Sequence, residues 1–234
     1  VVAVSSNPSV TLFPKLSLFL AMGWGWSSLR RLTGFRKKPV LAVDLDEVCA
    51  GYLPAFIEFH NARYGTALTL QHFHSYLFWE VQECRMADRE ESIHRVYEFH
   101  QSDYFARIRP LPGAREALEQ LAERFELHIV TSRQTDIEPA TRRFVEEHFP
   151  GLFTDLHFGN HFGKSGAKVA KPDMCRRIGA VALIDDSLHY AHQCAAAGLP
   201  AFIFGTYGWN ATTKELPAMV KRVAGWTQVV EALL

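Results

Sequence analysis

The chain has 234 residues, 48% hydrophobic and 21% charged, a make-up that suits one soluble α/β domain carrying an insertion. Lys plus Arg and Asp plus Glu each number 25, so no global field favours a nucleic acid polymer or a membrane surface, and any phosphate-binding charge must be local. Four cysteines, Cys49, Cys84, Cys175 and Cys194, lie far apart with no C-x-x-C, which argues for a reducing compartment; His72 and His74 have no H-E-x-x-H or paired-cysteine companions, which argues against zinc.

The first 43 residues hold six Lys or Arg and no acid. Their apolar stretch, Leu16 to Met22, is too short to span a bilayer. Residues 1–38 therefore read as a leader, either an organellar transit peptide of mitochondrial or plastid type or a signal-like apolar run after Lys15. A start at Met22 would give MGWGWS, which fits an N-terminal acylation pattern. The expected setting is intracellular, cytoplasmic or organellar, with no transmembrane segment.

From Val40 the pattern alternates strand and helix. Val40 to Leu45 is an apolar run that delivers Asp44 and Asp46 at its carboxyl end, where α/β proteins place ligand chemistry. The chain is expected to turn out of the strand at Leu45 to bring both acids to one ligand. Tyr52 to Phe105 reads mostly as helix with aromatic faces, and Arg109-Pro110-Leu111-Pro112-Gly113 marks the return to the core. Helices are expected at Ala114 to Arg124, Pro139 to His148, Pro172 to Ile178, Ser187 to Ala197 and Thr227 to Leu234. Further strands are expected at Leu127 to Thr131, Leu156 to Phe158, Val181 to Ile184 and Ala201 to Phe204. The fold class is α/β, a doubly wound parallel sheet with a small helical cap after the first strand. Its boundaries are 39–51 and 107–234 for the core and 52–106 for the cap.

The second strand ends in the hydroxyls of Thr131 and Ser132, Lys171 opens a helix, and the fourth strand ends in Asp185 and Asp186. Gly159 to Ser165 imitates a phosphate loop, but it has three residues between its glycines where the motif needs four, and Gly166 follows Ser165 where a helix should start. A glycine-rich loop at the site mouth is expected there, with Lys164 a secondary candidate for a phosphate lysine.

Acid pair, hydroxyls, lysine and second acid pair, in this order, resemble the motif series of the haloacid dehalogenase (HAD) superfamily, whose members carry a cap between the first two. The resemblance implies that Asp44 is a nucleophile forming an aspartyl-phosphate and that Asp46 is its acid-base partner. It also implies phosphate binding by Thr131, Ser132 and Lys171. Mg²⁺ would be held by Asp44, Asp186 and the Asp46 carbonyl, with Asp185 beside them. Within the superfamily the chain is similar to the 5′(3′)-deoxyribonucleotidases, which carry a Phe-Trp pair in the cap and P-L-P-G-A at the return. Here these are Phe78-Trp79 and Pro110 to Ala114. The implied function is Mg²⁺-dependent hydrolysis of a small phosphorylated metabolite, a nucleoside monophosphate, with Phe78 and Trp79 stacking the base. Alternatives are a sugar phosphate or phosphoglycolate substrate, a silent binding domain, and an aromatic pair that only packs the cap. One position departs from the nucleotidase pattern: Glu47 stands where those enzymes have Gly. The loop Thr206 to Asn210 either borders the site or anchors the last helix.

Overall fold

The computed structural model describes residues 37–234, so the leader and the Met22 motif lie outside the described residues. Six parallel strands form one sheet: β1 (Val40–Val43), β2 (Glu126–Thr131), β3 (Phe153–Phe158), β4 (Ala180–Asp185), β5 (Ala201–Phe204) and β6 (Val220–Val223), in the order β3-β2-β1-β4-β5-β6. The chain winds outward from β1 through β2 to β3, then returns to pair β4 on the other side of β1. Ligands of open parallel sheets bind at such a reversal, beyond the carboxyl ends of the strands.

Between β1 and β2 lie α1 (Tyr52–Tyr64), α2 (Arg89–His100), the single turn α3 (Asp103–Ala106) and α4 (Ala114–Ala122). Then come α5 (Glu138–His148), α6 (Lys171–Ile178), α7 (Leu188–Ala196) and α8 (Trp226–Leu233). Local chemistry sets their ends. Asp88 accepts from Glu91 N to start α2, Ser187 accepts from Tyr190 N to start α7, and Gly65 and Gly179 end α1 and α6 in left-handed conformation. In α4, Ala114, Ala117, Leu118 and Leu121 are buried, the spacing of one helical face.

Successive residues of β1 feed two cores, as the two-residue period of a strand requires. Leu41 and Val43 join Phe56, Phe59 and Phe99 of the insertion with α4 and α8 on one face, while Ala42 joins Met174, Cys175, Ala191 and Cys194 on the other. Both faces are covered, which explains the unbroken apolar run of β4, buried throughout. Phe99 stands edge-on to Tyr52, Phe56 and Phe105, so truncating it to Ala would cost about 3–5 kcal/mol.

The chain enters and leaves the insertion side by side: Gly51 N donates to Arg109 O at 2.9 Å, Leu111 N donates to Cys49 O at 2.8 Å, and Ala50 and Pro110 form an antiparallel bridge. Several expected boundaries move. β1 stops at Val43, and β3 starts at Phe153, where Thr154 and Asp155 are exposed on the sheet edge and break the apolar run. β6 has no counterpart among the expected strands; its central Lys221 and Arg222 mask a short edge strand. The helical reading of Tyr52 to Phe105 fails between Leu70 and Cys84, where the chain makes three separate 3₁₀ turns.

Candidate active site

At the carboxyl ends of β1 and β4 the sequence supplies the acids and the backbone aims them. Asp44 N donates to Ile184 O at 2.9 Å, extending the β1–β4 ladder to the first acid. The chain then folds back, with Cys49 N and Ala50 N both donating to Leu45 O and Glu47 N to Ala50 O. Glu47 takes φ 56° to close this turn, a left-handed conformation that costs a side-chain-bearing residue about 1–2 kcal/mol. The turn parts the two side chains: Asp44 meets Lys171, whereas Asp46 meets Arg133.

Asp44, Asp185 and Asp186 each bring a carboxylate oxygen to within 4.8 Å of the others. All three are buried. Lys171, wholly enclosed at the start of α6, places Nζ 2.8 Å from Asp44 Oδ1 and 2.5 Å from Asp185 Oδ2. Ser187 N donates to the other Asp185 oxygen at 2.8 Å, so both oxygens of Asp185 are committed to protein donors. Asp186 Oδ2 accepts from Trp209 Nε1 at 2.6 Å. Asp44 and Asp186 each keep an oxygen outside these bonds, and an all-oxygen donor set of this kind fits a hard divalent cation such as Mg²⁺.

Burial pushes the Asp44 carboxyl up to about 7 even though Lys171 pulls it down. Asp186 is raised well above the carboxylate range by burial and by Asp185 and Asp44. Burial alone would lower Lys171, but Asp185 and Asp44 outweigh it and hold the ammonium charged. Fully ionised, the three carboxylates would carry more negative charge than one lysine neutralises, which is the electrostatic setting for a bound cation.

A cavity of about 520 Å³ opens over the acids, and Asp44, Asp46, Asp186, Thr131 and Ser132 line its floor. Its walls are aromatic: Tyr52, Tyr76, Phe78, Trp79, Tyr97 and Trp209, with His100, His161, His189 and Lys168 among them. Burial lowers His100 to about 3 and His161 to about 4, so both rings are neutral. Phe78 stacks on Phe56 at 4.5 Å and also lines the cavity, joining the two readings of the pair; half-buried Trp79 lines it with its ring edge-on to Phe162.

Among the candidate residues, Asp44, Asp185, Asp186 and Lys171 meet directly, and Thr131 and Ser132 share the cavity floor with them. Lys171 itself is outside the cavity lining, engaged with the two acids. The Asp46 side chain is outside the acid cluster and faces Arg133. Lys164 packs its Nζ 4.1 Å from the centre of the Tyr97 ring, and the glycine-rich loop is tied by Asn160, whose amide accepts from Thr135 and donates to Ser165 O. The loop Thr206 to Asn210 borders the site through Trp209, while Tyr207 stacks on Trp209 and donates its hydroxyl to Glu47 O at 2.9 Å.

Arg133 escaped the sequence reading. Its one signal was position, directly after the strand-end hydroxyls Thr131 and Ser132.

A six-stranded parallel sheet with paired acids at its reversal, under a helical insertion, defines a HAD-like hydrolase, and several solved structures share the fold. Protein tyrosine kinase A of Mycobacterium tuberculosis superposes with a TM-score of 0.63 at 17% identity, covering 85% of this chain and 99% of that one. The haloacid dehalogenase-like hydrolase SP0104 of Streptococcus pneumoniae gives 0.61 at 12% identity, over 83% and 97%. The HAD-hydrolase YfnB of Bacillus subtilis, solved bound to magnesium, gives 0.59 at 14%, over 85% and 99%. Among curated proteins none matches the chain significantly. Residues 38–234 match the family of the 5′ nucleotidase, deoxy (Pyrimidine), cytosolic type C protein, and the chain belongs to that family. It is a HAD-type phosphatase, a 5′-nucleotidase-like hydrolase.

Proposed function

We propose that the chain hydrolyses nucleoside monophosphates in a Mg²⁺-dependent reaction through an aspartyl-phosphate on Asp44. The observation that carries this reading is the buried triangle of Asp44, Asp185 and Asp186 on the floor of an aromatic-walled cavity. Asp44 attacks phosphorus as the ester P–O bond breaks, and Asp46 gives the leaving oxygen its proton. In the second half Asp46 takes a proton from water, whose oxygen attacks phosphorus, freeing Asp44 and inorganic phosphate. Thr131 and the Ser132 backbone hold phosphate oxygens. Lys171 fixes Asp44 and Asp185 in place and offsets part of their charge.

Asp44, Asp186 and the Asp46 carbonyl would hold Mg²⁺, which when bound supplies charge for the phosphate oxygens and relieves repulsion among the carboxylates. Phe78 and Trp79 offer a base a stacking face worth about 1–3 kcal/mol. The 52–106 segment acts in this reading as the cap that selects substrate.

Phosphate release should be screened over deoxy- and ribonucleoside monophosphates, sugar phosphates, phosphoglycolate and p-nitrophenyl phosphate, with and without Mg²⁺. Mg²⁺-dependent release favouring nucleotides is expected. Trp79→Ala should lower kcat/KM for nucleotides by about 10-fold or more while sparing p-nitrophenyl phosphate. A preference for sugar phosphates, or equal losses on both substrates, would overturn the nucleotide assignment.

A further inference from the structure

Asp44 and Asp46 are served by different cations on opposite sides of β1. Lys171 and Asp185 meet Asp44 from the β4 side, whereas Arg133, directly beyond β2, takes Asp46. The Arg133 side chain is 3% exposed and its guanidinium grips the carboxylate as a fork: Nη2 donates to Asp46 Oδ1 at 2.7 Å, and Nε reaches Oδ2 at 3.0 Å and Oδ1 at 3.2 Å. Its remaining nitrogen, Nη1, donates to Thr141 Oγ1 at 3.0 Å, and that hydroxyl donates on to Ile137 O. The Phe105 and Tyr52 rings flank the guanidinium at 5.2 and 5.8 Å. Every guanidinium nitrogen is thus committed, and the fork is anchored to α5 at its far end.

An aspartate on a turn has two soft torsions and several staggered positions open to it. A planar fork fixes both the position and the plane of the carboxylate, which a point-charge ammonium does not. Oδ1 takes two contacts and Oδ2 one, so Oδ2 is the oxygen with more capacity left to carry a proton. We propose that Arg133 is a positioning residue for proton transfer, holding Asp46 so that Oδ2 faces the ester oxygen of the leaving group. This rests on the reading of Asp46 as acid and base. The proton passes from Asp46 to the ester oxygen as that oxygen takes the electron pair of the breaking P–O bond, and water returns a proton to Asp46 in the second half. Displacing a reacting group by about 1 Å costs on the order of 10²-fold, so a loosened fork should be visible in kcat.

Phenyl phosphate and p-nitrophenyl phosphate separate the possibilities, since nitrophenolate leaves without a proton and phenolate needs one. With Mg²⁺ present, Asp46→Asn should lower kcat on phenyl phosphate by about 10²-fold more than on p-nitrophenyl phosphate. Arg133→Gln and Arg133→Lys should show the same split, about 10-fold or more, and the Asp46→Asn/Arg133→Gln double variant should be no worse than Asp46→Asn alone. Thr141→Val keeps the charge and removes only the anchor; it should give a smaller split in the same direction, and it decides the matter if the Arg133 variants do not fold by circular dichroism. Equal losses on both substrates in the folded variants, with the Asp46→Asn split intact, would overturn the role of Arg133. Absence of a split in Asp46→Asn would instead overturn the acid-base reading, and the proposal with it.

Discussion

The indole of Trp209 donates to Asp186 Oδ2 at 2.6 Å, so a residue beyond β5 orients an acid at the end of β4. Tyr207 stacks flat on that indole and Asn210 Nδ2 donates to the Asp186 carbonyl at 2.9 Å, so the residue is held at its carboxylate and at its backbone. Partners that orient ligating carboxylates typically contribute 10- to 100-fold in metal affinity. Trp209→Phe, which keeps the ring packing but removes the donor, should therefore raise the Mg²⁺ concentration for half-maximal activity about 10-fold, measured by titrating the apoenzyme. An unchanged titration would remove Trp209 from the cation site.

Lys171 is the fulcrum of stability in this cluster. Replacing it by Met leaves Asp44 and Asp185 buried without their cation, a loss of about 3–5 kcal/mol. The deficit should shrink at low pH, because both acids can then be neutral. Chemical denaturation of the parent and Lys171→Met at pH 5 and pH 8 tests this; a deficit independent of pH would contradict it.

Mg²⁺ should stabilise the fold more strongly at high pH than at low. The Asp44 carboxyl is raised from 3.8 to about 7, so its contribution to the metal-free fold is fully present below the lower value and lost as pH climbs through the higher one. A cation reverses this by favouring the ionised form. Buried His60, lowered to about 4, and His100 and His161 behave oppositely, but they act equally with and without Mg²⁺ and cancel in the difference. Thermal melts at pH 5 and pH 8 should show a Mg²⁺-dependent rise in Tm several degrees larger at pH 8, since saturation to 100 times Kd adds about 2.7 kcal/mol. Equal rises at both pH values would count against the acid triangle as the cation site.

Glu47 is raised well above the carboxylate range, first by burial and then by Asp46 and Asp186, while its Oε1 accepts from Leu53 N at 2.7 Å at the start of α1. Its ionised form is thus penalised in the fold. Glu47→Gln keeps the acceptor and removes the charge, so it should match the parent near pH 4.5 and exceed its stability by on the order of 1 kcal/mol at pH 8. Glu47→Gly relieves the left-handed backbone but loses the bond to Leu53, so it should bring no net gain of that size. Urea melts of the two variants at both pH values measure the difference.

The order of acids, hydroxyls and lysine made the sheet and its reversal legible, because fully buried parallel strands announce themselves as short apolar runs that end in polar residues. β6 was hidden, since a four-residue edge strand with Lys221 and Arg222 at its centre carries too little apolar signal. The turns at Leu70, Phe78 and Gln82 were hidden for a related reason: aromatic residues such as Phe73 and Phe78 recur there without helical period, Phe78 held by packing on Phe56 and Phe73 by packing on Phe78. Asp46 could be named from the sequence but its partner could not, because Arg133 lies in a different strand-helix unit and only the pairing of β1 with β2 brings them together.

The bridge between Ala50 and Pro110 bears on how this architecture can vary. With both ends of the inserted segment pinned to each other, a change of length in its surface turns leaves the spacing of those ends in place. Doubling the length of such a loop costs only about 0.6 kcal/mol in closure entropy. Under the proposed role of this segment, selectivity can be engineered by rewriting one continuous stretch of gene, while the register that aims Asp44 and Asp186 is inherited unchanged.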